Sequence, residues 1–223
     1  MAFPVTHLLV GDALLAKQTA CVWPDVDAAQ FLLGSLAPDG VHYREEFMGA
    51  AMQNIGHAKK ITHLCPVSDE RWGAVTDNEG WVKCVQAWMR ESSGPLAYGY
   101  AVHVLTDLHN NMTLWERFRT QYPAEAAKGY ASDYYRDLHE IDLRLYLSHV
   151  KGRKIEQLLA SAKPNDIPGL VSAEEINAIR DNILYENYKG RIPAVGYECS
   201  FITYDETLGF IAEAAEAVSR WLV

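Results

Sequence analysis

The chain has 223 residues, 49% hydrophobic and 22% charged, with 15 Gly and 9 Pro, which excludes a disordered or collagen-like chain and allows an apolar core without disulfide staples. Lys and Arg number 20 against 29 Asp and Glu, a net charge of −9 with neutral histidines, which argues against broad nucleic-acid binding or attraction to an anionic membrane surface. Cys21, Cys65, Cys84 and Cys199 form no C-x-x-C pair, and no basic region with an apolar run opens the chain; free thiols, a cytoplasmic setting and no integral membrane segment are expected.

The apolar periodicity is helical, and the breakers fall between helical segments, so the expected fold is all-α. A first helix covers about 6–20. Asp27 begins a second, carrying Phe31, Leu32, Leu33 and Leu36, which Pro38-Asp39-Gly40 stops. Residues 38–75 read as mainly irregular. Thr76 and Glu79 form a capping box for a helix bearing Trp81, Val85 and Trp88, which ends near Ser92-Ser93-Gly94. Pro95 suits the first turn of a helix over about 95–121, and Pro123 opens another to about 151. Ser172 with Glu175 caps a helix through Tyr188, and a last helix runs from about 204 to the end. The expected organisation is one domain over 1–223, in which 1–150 holds all eight histidines and 151–223 supplies helices packing on that core. Trp81, Trp88 and Trp115 follow helical spacing and read as core, while the many Trp and Tyr side chains leave a homo-oligomer open.

His103 and Asp107 stand four apart on a helix, so both side chains reach one place, where an imidazole nitrogen and a carboxylate oxygen are good zinc ligands. The pair alone fits a buried hydrogen bond better than a metal site. His7 in the first helical turn, Asp39 after Pro38, and His57 or His63 are further ligand types at points where the chain can turn inward. His109, two residues past Asp107, points away around the helix.

These residues lie in order within Phe31-Leu32-Leu33-Gly34-Ser35-Leu36-Ala37-Pro38-Asp39, Lys60-Ile61-Thr62-His63 and Gly99-Tyr100-Ala101-Val102-His103-Val104-Leu105-Thr106-Asp107. Over roughly residues 1–150 the chain resembles the zinc-dependent phospholipase C family, related to the fungal zinc nucleases. The resemblance implies an all-α fold with metal ions between helices and hydrolysis of a phosphoester or phosphodiester by metal-activated water. It implies that Asp39, His63, His103 and Asp107 surround one zinc, with His63 preferred to His57 for its Lys-x-Thr-His setting. His7 and a bridging Asp107 then reach a second ion. Two zinc ions, or another divalent transition metal, a small phosphate-ester substrate and Asp39 as proton acceptor complete the expectation.

The chain departs from the family pattern at the remaining metal position. Thr113 stands where a histidine six after the bridging aspartate is expected, and Leu143 stands four after His139 in place of a glutamate. The amino-terminal tryptophan of the larger enzymes has no counterpart in Met1-Ala2-Phe3. Asp137, ahead of His139, is the candidate to complete the set, and Arg44 and Lys60 are candidates to hold phosphate. These departures also motivate an alternative, a catalytically degenerate helical metal-binding or scaffold protein.

Overall fold

The computed structural model describes residues 3–17, 27–47, 56–66, 70 and 72–222. Among them the fold is all-α: no strand forms, and a lone antiparallel bridge joins Ile167 to Val171. No helix there is long and apolar enough to cross a membrane.

Helix α1 spans Pro4–Lys17 and α2 spans Ala28–Gly34. Asp27 starts α2 by accepting from the Ala29 and Gln30 amides. Pro38 sits in a short 3-10 helix, Ala37–Tyr43, that carries Asp39. Among its described residues, the segment expected to be irregular also contains a 3-10 turn, Glu45–Phe47, and helix α3, Gly56–Thr62. Helix α4 covers Asn78–Glu91. Its cap is Asp77, whose carboxylate accepts from the Gly80 amide, while Thr76 gives its N–H and hydroxyl to Glu70 instead.

The long helix expected over 95–121 is two: α5, Pro95–Met112, and α6, Leu114–Gln121. The break falls at Thr113, whose hydroxyl donates back to the His109 carbonyl at 2.7 Å, while Asn111 just before it is tied to the Val75 carbonyl and to Asn78. The helix expected over 123–151 is likewise divided into α7, Pro123–Ala126, and α8, Asp133–Leu145, which runs into a π turn, Tyr146–Val150. Gly129 at φ +57 makes the turn between them, and Ser132 caps α8. Helices α9, Lys154–Ser161, and α10, Ala173–Asp181, follow; Ser172 and Glu175 form the expected capping box. Helix α11, Tyr204–Trp221, opens on a second one, Thr203 with Glu206.

Helix α5 is the axis of the molecule, packed by α1, α2, α4 and α11. Tyr100, Val104, Leu105 and Leu108 are fully buried on it, as is Trp81 of α4. The crossing of α2 on α5 is a backbone contact. A Cβ at Gly34 would fall 2.1 Å from the Leu96 carbonyl oxygen, and one at Gly99 would fall 1.9 Å from that of Phe31. Two glycines therefore set the ends of α2 and α5 at a distance no side chain permits. That close crossing brings Ser35 and the turn bearing Asp39 beside His103.

Residues beyond 151 close over this core. Arg44 forms an ion pair with Glu175 at 2.6 Å and donates to the Leu170 carbonyl at 2.9 Å. Helix α11 lies against α1 and α5. Cys65, Cys84 and Cys199 are free thiols, and Cys21 lies outside the described residues.

Candidate metal centre

Five of the expected residues meet between α1, α3, α5 and the 37–43 turn. His7, His63 and His103 are fully buried, Asp107 nearly so, and Asp39 lies at the edge with its side chain 12% exposed. Two groups have the proximity a metal requires: His7, His103 and Asp107, and Asp39, His63 and His103.

The imidazoles are held by partners that orient them. His103 Nδ1 lies 2.8 Å from the Ser35 carbonyl oxygen, which only accepts, so Nδ1 carries the proton and Nε2 presents a lone pair. The Thr62 hydroxyl, which also reaches the Lys59 carbonyl at 3.3 Å, lies 3.0 Å from His63 Nδ1 and so turns His63 Nε2 toward the cluster. The two Nε2 atoms face each other at 3.2 Å. Two imidazole nitrogens at that distance share either a proton or a cation.

Carboxylates complete the enclosure. His63 Nε2 lies 3.4 Å from Asp107 Oδ2 and 3.6 Å from Asp39 Oδ1. His103 Nε2 lies 3.9 Å from Asp107 Oδ2 and 4.0 Å from Asp39 Oδ2. Metal–ligand bonds of about 2.1 Å in a tetrahedral zinc site put ligand atoms about 3.4 Å apart, close to the shorter of these spacings. His7 stacks on His103 with ring centroids 3.6 Å apart, and its Nε2 lies 3.4 Å from Asp107 Oδ1. Neither ring nitrogen of His7 makes a hydrogen bond of acceptable geometry although both are buried. Orphaned ligand-type nitrogens beside a carboxylate fit a cation better than a closed polar core.

The charge states suit ligation. Burial pushes Asp39 up, but the Lys59 ammonium and the nearby His42, His63 and His103 outweigh it and hold the carboxyl well below the usual range. Asp107 is also held well below it, with burial opposed by His63, His7 and His103. Burial, with His7 and His63 alongside, drives His103 well below the ordinary histidine value, so it stays neutral.

The end of α3 is fixed on three sides. Trp81 Nε1 donates to the His63 carbonyl at 2.7 Å, the Tyr100 hydroxyl donates to the Thr62 carbonyl, and Trp72 meets the His63 ring edge-on at 4.9 Å. Leu64, directly after His63, has φ +51, a left-handed conformation that costs energy in a branched residue and is held here by this packing.

The expectations for Asp137, Arg44 and Lys60 are corrected. Asp137 does not join the cluster: its carboxylate accepts from the Tyr197 hydroxyl at 2.6 Å and from the Ser200 and Phe201 amides at 2.8 and 2.7 Å, which anchors the segment leading into α11. His139 is exposed and packs against Phe3, and His57 is exposed at the start of α3, which leaves His63 as the histidine of that segment in the cluster. His109 stacks on Phe210, away from the site. Arg44 is engaged by Glu175, and Lys60 donates to the Glu70 carbonyl.

The residues that spacing missed are Lys59 and Thr62. Lys59 is 3% exposed, with Nζ 2.8 Å from Asp39 Oδ1. It precedes His63 by four residues, the same interval that joins His103 to Asp107, and that interval was the available signal. His42 Nε2 stands 3.6 Å from Asp39 Oδ1 with its side chain 24% exposed, on the side where the cluster approaches solvent. Comparisons with protein-family models, with curated proteins and with solved structures find no match to this chain.

Proposed function

We propose that the chain is a metal-dependent hydrolase of a small phosphate ester, with phospholipase C-like machinery and zinc, or another divalent transition metal, as its cofactor. The observation that carries this reading is the pair of facing Nε2 atoms of His63 and His103, 3.2 Å apart and flanked by Asp39 and Asp107. Bound divalent ions supply Lewis-acid stabilisation of phosphoryl oxygens and a water made acidic enough to act as nucleophile near neutral pH. Asp39, His63, His103 and Asp107 would hold one ion, and His7 with the second oxygen of Asp107 would reach another. Ser35 and Thr62 orient the rings, as outer partners of metal-binding histidines do. Proton abstraction by Asp39 fits poorly: with Lys59 and three imidazoles beside it, its carboxyl is too acidic to match a general base at neutral pH, and the residue is better read as a ligand.

Elemental analysis of protein purified without chelator, coupled to hydrolysis of p-nitrophenyl phosphate and bis(p-nitrophenyl) phosphate, tests the reading. Bound transition metal is expected, with His103→Ala losing both metal and turnover. Absence of any transition metal, together with an unchanged His103→Ala protein, would overturn it.

One observation favours the alternative of a structural metal protein. Four protein ligands around an ion form a closed set, the usual arrangement of structural zinc, whereas catalytic zinc keeps an open position. Full metal content without turnover on either ester would select that alternative.

A further inference from the structure

Among the described residues Lys59 is the one lysine or arginine in the cluster, and its surroundings are unlike those of a structural ion pair. Its ammonium has three donors, yet among those residues its ion-pair partner is a single carboxylate oxygen, Asp39 Oδ1, at 2.8 Å. The charge also stands 5.8 Å from the centroid of the Trp72 ring and within the electrostatic reach of Tyr130 and Asp107. A buried ammonium that spends one donor leaves two that favour another acceptor. His63 directly follows α3, one turn after Lys59, and both side chains approach Asp39 Oδ1, so the ammonium projects to the same place as the His63 ring. Asp39 and His42 there are the cluster's most exposed members.

We infer that Lys59 binds the substrate's phosphoryl group, and that it selects a dianionic phosphate monoester over a monoanionic diester. This inference rests on the reading of the site as a metal-dependent phosphate-ester hydrolase.

The charge balance supports the preference. The two carboxylates and Lys59 sum to a single negative charge, which two divalent ions would turn into three positive charges. Lys59 thus adds to a surplus that the ions already create, in a buried place where uncompensated charge is costly. A dianion relieves more of that surplus than a monoanion does. The unspent N–H groups match phosphoryl oxygens, which are strong acceptors for charge-assisted hydrogen bonds. Asp39 keeps the ammonium in place between turnovers.

The test measures binding of inorganic phosphate and of dimethyl phosphate by titration calorimetry at about pH 8, where phosphate is a dianion. It uses the full chain with its metal, compared with Lys59→Met and Lys59→Gln, and metal content is determined alongside. Phosphate affinity is expected to fall about tenfold or more in both variants, with dimethyl phosphate changing less than about threefold and metal content unchanged. A structural role would not move that dianion-to-monoanion ratio. Phosphate affinity within about twofold of wild type, or equal losses for both anions together with loss of metal, would overturn the inference. If Lys59→Met does not fold, Lys59→Gln, which keeps a donor toward Asp39, decides. A wild-type preparation that holds no metal, with His103→Ala unchanged, overturns the hydrolase reading; the Lys59 inference is then decided by the same ratio measured on that preparation.

Discussion

His103 Nδ1 lies 2.8 Å from the carbonyl oxygen of Ser35, sixty-eight positions earlier in the chain. That contact fixes which nitrogen of the ring faces the cluster. It exists because α2 ends on α5 with backbone touching backbone at Gly34 and Gly99. The metal-site chemistry of His103 therefore depends on two residues that carry no side chain.

Gly99→Ala is expected to destabilise the protein by about 3 kcal/mol or more, because the added methyl meets the Phe31 carbonyl and neither backbone can retreat without moving a helix. For a chain of this size that corresponds to a melting temperature lower by roughly 10 °C, measurable by circular dichroism. A melting point within about 2 °C of wild type would contradict so close a crossing.

Thr62→Val keeps the shape of the side chain and removes the oxygen hydrogen-bonded to His63 Nδ1. The fold should persist. Metal affinity, measured by competition with a chromophoric chelator, should fall about 10- to 100-fold, the usual effect of losing an outer partner of a metal-binding histidine. An unchanged affinity would remove Thr62 from the site.

Asp137→Ala separates anchoring from ligation. Three donors, the Tyr197 hydroxyl and the Ser200 and Phe201 amides, lose their acceptor, and about 3 kcal/mol of stability should go with it. Metal content should stay at the wild-type level. A drop in metal without a drop in stability would restore Asp137 as a ligand.

Asp142 supplies a pH dependence. Its carboxyl, buried between α8 and the start of α1, is raised to about 7 by burial, against the opposing pull of the Tyr188 hydroxyl, the Val5 and Thr6 amides, and Arg191. The unfolded chain releases this proton near about pH 4, so between about pH 4 and pH 7 the native state binds the extra proton. This group's contribution to stability is therefore full below pH 4, declines as pH rises, and levels off above about 7. Asp142→Asn should flatten that slope, removing up to about 4 kcal/mol of pH-dependent change. Denaturant titrations at pH 5 and pH 8 check it; parallel curves for variant and wild type would refute it.

Local spacing made much of this legible. Four-residue intervals placed His103 with Asp107 on one helix face, and Pro38 marked the turn that carries Asp39. Where two readings of equal local quality competed, the sequence was silent. Thr76 and Asp77 both suit an N-cap, and Glu70, six and seven residues earlier, claims Thr76. Asp137 had the right residue type on an inward helix face, but its partners lie sixty and more positions away in a segment with no periodicity. Lys59 went unnoticed because lysines are almost always at the surface; only the three-dimensional placement of Asp39 makes its burial intelligible. The break at Thr113 arises from an Asn111 tie to the loop before α4, a long-range contact that no helix propensity encodes.

The five clustered side chains come from four separate stretches, between residue 7 and residue 107. An ion held among them would act as a crosslink, tying together segments that the unfolded chain keeps far apart and restricting the open chain's freedom as a disulfide does. Removing it with a chelator should therefore loosen the joint between α1, α3 and α5 first, while the Arg44–Glu175 and Asp137 anchors continue to hold the C-terminal helices in place. The protein would come undone from its centre outward, its periphery remaining fastened.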